Sequence, residues 1–197
     1  MAKMNSKVRE ITSLSTGTPL DEPVCFYFDS TNEPLDDAVV DFSLRYDGFL
    51  QEAIESGNWE PRPGQAYEKS KDLAKVRIKD LGVDIDPFVL QMAKVFVDPK
   101  IKIPGVPPHN HRDYSEYFWV PKGRGEGVLG VSKELQIETP DQEIVLEPGA
   151  YSFIPGPVYH SVKPKDPDSV VYIAVLRFDH SLLSTFPNGY SLELVDV

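Results

Sequence analysis

His109-Asn110-His111-Arg112-Asp113-Tyr114-Ser115-Glu116-Tyr117-Phe118-Trp119-Val120-Pro121-Lys122-Gly123 is the stretch from which the rest of the chain is best read. His109 and His111 stand two apart. On a strand alternate residues share a face, so both imidazoles can converge on one point. Glu116 follows five residues after His111, the wrong parity for a single straight strand. The polar Arg112-Asp113-Tyr114-Ser115 between them reads as a turn or bulge, after which Glu116 opens a strand of its own and can point back. With Glu116 inward, alternation turns Phe118 and Val120 inward as well and sends Tyr117 and Trp119 to the other face.

Further along, His160 sits in another strand-like run, behind the turn-forming Pro155-Gly156-Pro157, with Val158 and Val162 on its face. Three neutral imidazoles and one carboxylate make a mixed nitrogen and oxygen set suited to Fe, Mn, Ni, Co, Cu or Zn. They set one negative charge against the ion's two positive ones. Four ligands leave about two positions of a six-coordinate ion open, as a catalytic rather than a closed structural site requires. Binding should depend on pH, since each imidazole must be deprotonated, around pH 6.5 when unperturbed.

Outward from these residues the second half of the chain reads as strands. Short β-branched or aromatic runs occupy 88–97, 116–120, 127–131, 135–138, 143–146, 151–154, 158–163 and 170–178, with turn signals such as Pro121-Lys122-Gly123 and Glu147-Pro148-Gly149 between them. Eight short strands at this spacing indicate a sandwich or barrel, the jelly roll among them. A run at 191–197 can add an edge strand. The first part differs. A strand at 24–28 is followed by an apolar stripe of helical spacing, Val39, Val40, Phe42, Phe49, Leu50, Ala53 and Ile54, opened by Asp36-Asp37 and stopped by Gly57. After Pro61-Arg62-Pro63-Gly64, a second helix is expected near 66–81.

At its two histidine clusters the sequence resembles the cupin superfamily. The first cupin motif, Gly-x5-His-x-His-x3–4-Glu-x6-Gly, fits from His109 through His111 and Glu116 to Gly123, whereas Gly105 stands only four residues before His109. The second, Gly-x5-Pro-x-Gly-x2-His-x3-Asn, is met by Gly149, Pro155 and His160, with Pro157 in place of its glycine and Pro164 in place of its asparagine. These departures alter turns and remove no ligand. The resemblance covers 105–164, with flanking strands consistent to about 178. It implies a mainly β fold, the cupin-type double-stranded β-helix or jelly-roll barrel, over 86–197. Residues 1–85 are expected as a partly helical N-terminal extension, with a strand and two helices packing on the barrel. It also implies that His109, His111, Glu116 and His160 hold one divalent metal ion (Fe, Mn, Zn or Ni) inside that barrel, and that the chain forms a homodimer.

The resemblance further implies a metal-dependent enzyme acting on a small organic molecule, with substrate or dioxygen at the open positions of the ion: dioxygenase-like, or an isomerase or lyase. Glu116-Tyr117 and the glycines after it resemble the archaeal cupin-type phosphoglucose isomerases, and an oxygenase-like cupin fits equally. The alternative class is a non-catalytic ligand-binding or sensing cupin. Polar candidates to orient or act on a substrate are Gln91, Lys94, Tyr151, Tyr172 and Arg177 on strands, with His180 at the barrel mouth. Parity allows only one of Gln91 and Lys94, and one of Tyr172 and Arg177, to face inward. Lys122 and Arg124 flank Gly123 in a hairpin and read as solvated.

Composition narrows the partners. With 20 basic and 31 acidic side chains the 197-residue chain carries a formal net charge of −11, and no basic run interrupts it, which argues against nucleic acid or an anionic membrane as partner. The single cysteine, Cys25, lies in the apolar Val24-Cys25-Phe26-Tyr27-Phe28 and reads as a buried thiol, without a disulfide framework or Cys-rich zinc site. Met-Ala-Lys-Met-Asn-Ser-Lys is not followed by the apolar core of a signal peptide, and no apolar stretch is long enough to span a bilayer. A cytoplasmic protein is expected.

Overall fold

The computed structural model describes residues 26–29, 37–79, 87–111, 113–130, 140–154, 156, 159–179, 181–182, 186 and 189–195. Cys25, Val158, His180 and the run at 135–138 lie outside them.

Two antiparallel sheets carry the fold. The larger has nine strands in the order β1 (Phe26–Asp29), β10 (Ala150–Ile154), β7 (Tyr114–Lys122), β12 (Val171–Asp179), β5 (Phe88–Val95), β3 (Tyr67–Lys69) and β2 (Glu60–Pro61). To this path β4 (Ala74–Ile78) adds by pairing with β5, and β13 (Leu192–Val195) by pairing with β4. The smaller sheet runs β6 (Val106–His109), β11 (Tyr159–Pro164), β8 (Gly125–Gly130) and β9 (Pro140–Leu146). This is the mainly β, jelly-roll architecture that the strand spacing predicts.

The large sheet is buried on both faces, which explains its sequence. On the inner face Val95, Phe118, Val120, Ile154, Val171 and Ile173 pack against Val162 and Leu146 of the small sheet, forming the barrel's core. On the outer face Tyr117, Trp119, Phe153, Leu176 and Phe178 pack under two helices, α1 (Asp37–Arg45) and α2 (Asp47–Ser56), through Val39, Phe42, Leu50 and Ile54. Residues 115–120 of β7 are therefore all buried, and they read as a continuous apolar run rather than as alternation. Phe118 and Val120 face inward and Tyr117 and Trp119 outward, as parity requires. The fully buried Phe42 meets Trp119 edge-on at 6.3 Å between ring centroids. Truncating such an aromatic costs about 3–5 kcal/mol.

Two expectations are corrected. The helical stripe breaks at Tyr46 (φ −108°), giving two helices where one was read, and ends at Gly57 in the left-handed conformation. Residues 66–81 hold no helix among those described. Tyr67–Lys69 and Ala74–Ile78 are strands on β5, because Ala74, Val76 and Ile78 alternate buried with exposed Lys75 and Arg77. A strand with one apolar face gains more by joining β5 and β13 than Lys, Ala and Glu gain from helix propensity. The edge strand read at 191–197 is present in its described part as β13, paired to β4 with Leu192 buried.

Candidate metal centre

The strands bring the two motifs to one end of the barrel. His109 closes β6 and is the direct cross-strand partner of His160 on β11, so both imidazoles leave the small sheet side by side. Their ring centroids are 4.3 Å apart. Glu116 arrives from the large sheet, two residues into β7, paired with Ile154 on one side and Arg177 on the other. His111 lies just past β6. Its N–H donates to the carbonyl of Gly156 at 2.7 Å, which fastens it to the turn that leads into His160. The strand bearing Glu116 begins at Tyr114, so Tyr114, Glu116 and Phe118 share a face, and the turn is shorter than the sequence suggests.

The result is a compact donor set. Ligating nitrogens of His109, His111 and His160 lie within 4.8 Å of one another, a grouping able to hold a metal ion. Glu116 spans two of them, with Oε1 at 3.1 Å from His160 Nε2 and Oε2 at 3.4 Å from His111 Nε2. Donors about 2.1 Å from one ion sit about 3.0 Å apart when at right angles and about 4.2 Å apart when opposite. The observed spacing is close to that of a shell around one ion.

Protonation favours the same use. His109 Nδ1 lies 2.9 Å from the Pro107 carbonyl. A carbonyl only accepts, so Nδ1 carries the proton and Nε2 keeps its lone pair. Burial, reinforced by the nearby His160, pushes the His109 imidazole down to about 3, leaving it neutral. Burial would raise the Glu116 carboxyl, but the facing His160 and His111 rings outweigh it and hold the group well below the usual carboxylate range. His111 Nε2 is buried and, apart from its 3.4 Å approach to Glu116 Oε2, has no hydrogen-bond partner among the described residues. A buried, unsatisfied ring nitrogen aimed at other donors suits a cation.

The centre opens into a cavity of about 60 Å³. Phe118, Val106, Val162, Ile173 and Val175 supply apolar wall; Tyr67, Lys69, Gln91, Tyr114 and Arg177 supply the polar groups. Tyr114 stacks on His111 at 4.1 Å between centroids, and the Arg177 guanidinium lies 5.2 Å over the Tyr114 ring. Arg177 also donates to Gln91 Oε1 at 3.2 Å, and Gln91 donates to Asp72 Oδ1 at 2.5 Å.

Of the substrate-orienting candidates, Gln91 and Arg177 line this cavity. Lys94 turns away and donates to Glu68 at 2.8 Å. Tyr151 faces the helices, its hydroxyl 2.6 Å from Ser43 Oγ, and Tyr172 packs on Trp59 at 5.6 Å between centroids. Arg124 bonds Glu147 at 2.9 Å at the surface. Tyr67, Lys69 and Tyr114 were not foreseen: the first two lay in the stretch read as helix and the third in the turn. The alternation of Tyr67 and Lys69 about Glu68 was the available signal.

No family model matches the chain, and no curated protein matches it. Solved structures are similar to part of it. The Cnp3 cupin domain of Schizosaccharomyces pombe shares 11% identity over 67% of this chain and 75% of that one, with a TM-score of 0.43. KdgF from Halomonas sp. shares 19% over 62% and 89%, with a TM-score of 0.40. Hydroxypropylphosphonic acid epoxidase from S. wedmorenis shares 23% over 46% and 43%, with a TM-score of 0.35, so the match spans less than half of the epoxidase. Among the described residues no helix is long and apolar enough to cross a membrane. Two antiparallel sheets close on an apolar core, and both histidine motifs are gathered on them, which gives the chain a mainly β, jelly-roll fold.

Proposed function

We propose that His109, His111, Glu116 and His160 hold one divalent metal ion, and that the chain is a metal-dependent enzyme acting on a small organic molecule. The observation that carries this is the buried His111 Nε2, left without a hydrogen-bond partner among the described residues while it faces the Glu116 carboxylate beside His160. An ion bound there supplies Lewis-acid polarisation of a coordinated oxygen or, if it is iron, a site for dioxygen chemistry. The chain's own residues do the rest. Pro107 fixes the His109 tautomer, and Tyr114 holds the His111 ring by stacking. Phe118, Val162, Ile173 and Val175 keep water from the inner cavity and strengthen every charge interaction within it. Gln91, Tyr114 and Arg177 are placed to orient a bound molecule.

The test is turnover. Protein reconstituted with Fe²⁺, Mn²⁺, Zn²⁺ or Ni²⁺ is incubated with a panel of small hydroxy acids and sugars, with and without dioxygen, and followed by NMR and oxygen uptake. Conversion that depends on the metal and disappears in His111→Ala supports the reading. Conversion that survives in that variant contradicts it.

A further inference from the structure

The cavity holds a cation that the metal centre does not use. Lys69 lies on β3, paired with Ala93 of β5, and shares a face with Tyr67, so both line the cavity. Its neighbour Glu68 points the other way, where it is taken by Lys94 at 2.8 Å. Lys69 Nζ therefore has no hydrogen-bond or ion-pair partner among the described residues. Its one aromatic contact is distant, 6.0 Å from the Tyr67 centroid. Burial lowers its pKa, Arg62 and Arg177 press in the same direction, and Glu116 opposes them. Glu116 attracts the ammonium electrostatically but forms no ion pair with it, its two oxygens lying against the imidazoles of His160 and His111.

Arg177 stands at the same cavity and is held in place. Gln91 accepts one of its N–H groups at 3.2 Å, Asp72 lies 3.7 Å from Nη2, and Tyr114 lies beneath its plane. A half-buried ammonium without a partner is unfavourable unless something negative joins it. With the Glu116 carboxylate set against Lys69 and Arg177, the charged side chains lining the cavity sum to a positive charge inside a chain whose formal charge is −11. Such a field selects anions and rejects their neutral isosteres.

We propose that Lys69, with Arg177 beside it, is the specificity-determining end of the cavity, and that the molecule taken there is a small carboxylate. The inference rests on the reading of the site given above and names its substrate class. The cavity beside Lys69 is small, about 60 Å³, which suits a carboxylate group and its immediate neighbours. The carboxylate accepts from the ammonium and from the guanidinium, with Tyr67 and Tyr114 among the residues that line the same cavity.

Glycolate and lactate, with glycolamide and lactamide as neutral counterparts, are titrated calorimetrically into wild type, Lys69→Met and Lys69→Arg. Metal content and circular dichroism are read on the same samples. Charge-assisted pairing predicts that the acids bind wild type at least ~10-fold tighter than the amides. Lys69→Met should lose about tenfold of that selectivity with its metal content unchanged, and Lys69→Arg should recover most of it. Unchanged selectivity in Lys69→Met, or no acid binding to wild type at millimolar concentration, overturns the proposal. A wild-type protein that takes up no metal contradicts the metal reading instead. Selectivity that Lys69→Met then abolishes in the metal-free protein still supports the anion site.

Discussion

Gly156 is fitted against His111 so closely that a Cβ built on it falls 2.6 Å from the His111 carbonyl oxygen and 2.6 Å from that of Tyr114. Its own carbonyl accepts the His111 N–H at 2.7 Å, and its N–H donates to Ser115 Oγ at 3.1 Å. The turn before His160 thus holds the loop that carries His111.

Gly156→Ala should accordingly push two backbone segments apart. An overpacking cost of about 1–3 kcal/mol in urea unfolding is expected, together with at least a tenfold loss of metal affinity by competitive titration. Stability and affinity both at wild-type level would show that the loop tolerates a methyl group and that its position does not depend on this contact.

Tyr151 has a structural task. Its hydroxyl and Ser43 Oγ form a buried hydrogen bond at 2.6 Å between β10 and α1. Tyr151→Phe and Ser43→Ala should each cost about 1 kcal/mol, and the double variant should fall short of additivity. Metal content and turnover should be unchanged in all three. A fall in turnover without a fall in stability would return Tyr151 to the list of acting residues.

Acid should destabilise the metal-free protein through His109. Its imidazole titrates near 3 in the fold and near 6.5 when unfolded, so between these values the unfolded state holds the extra proton. Stability from this group is complete above pH 6.5 and is lost as pH falls toward 3. The depressed Glu116 carboxyl acts in the same direction below about 4.5. From pH 6 to 4.5, urea unfolding of the wild type should steepen relative to His109→Asn by as much as about 1.4 kcal/mol per pH unit. Parallel curves for the two proteins would contradict the depressed pKa.

Much of the site was legible because its logic is local. His109 and His111 obey strand parity, Glu116 opens an apolar alternation, and His160 follows an unmistakable turn. The barrel was legible for a related reason, since short apolar runs between Pro and Gly turns have few other ways to bury themselves. What escaped depends on pairing across long sequence separations. Tyr67–Lys69 and Ala74–Ile78 are strands only because β5 and β13 lie beside them. Read alone, their Lys, Ala and Glu suggest helix. Lys69 was lost with that misreading, and Tyr114 with the belief that strand β7 began at Glu116. The outward turn of Tyr172 and Lys94 followed from parity only as a choice between pairs, and the fold made the choice.

Metal stoichiometry is the most direct trial of the four-donor centre. Wild-type protein reconstituted at neutral pH and freed of excess ion should carry close to one divalent ion per chain. His111→Ala and His160→Ala should each retain less than about 0.2 while keeping the wild-type circular dichroism. A wild-type protein that stays metal-free, or either variant loaded as fully as wild type, would contradict the centre built here.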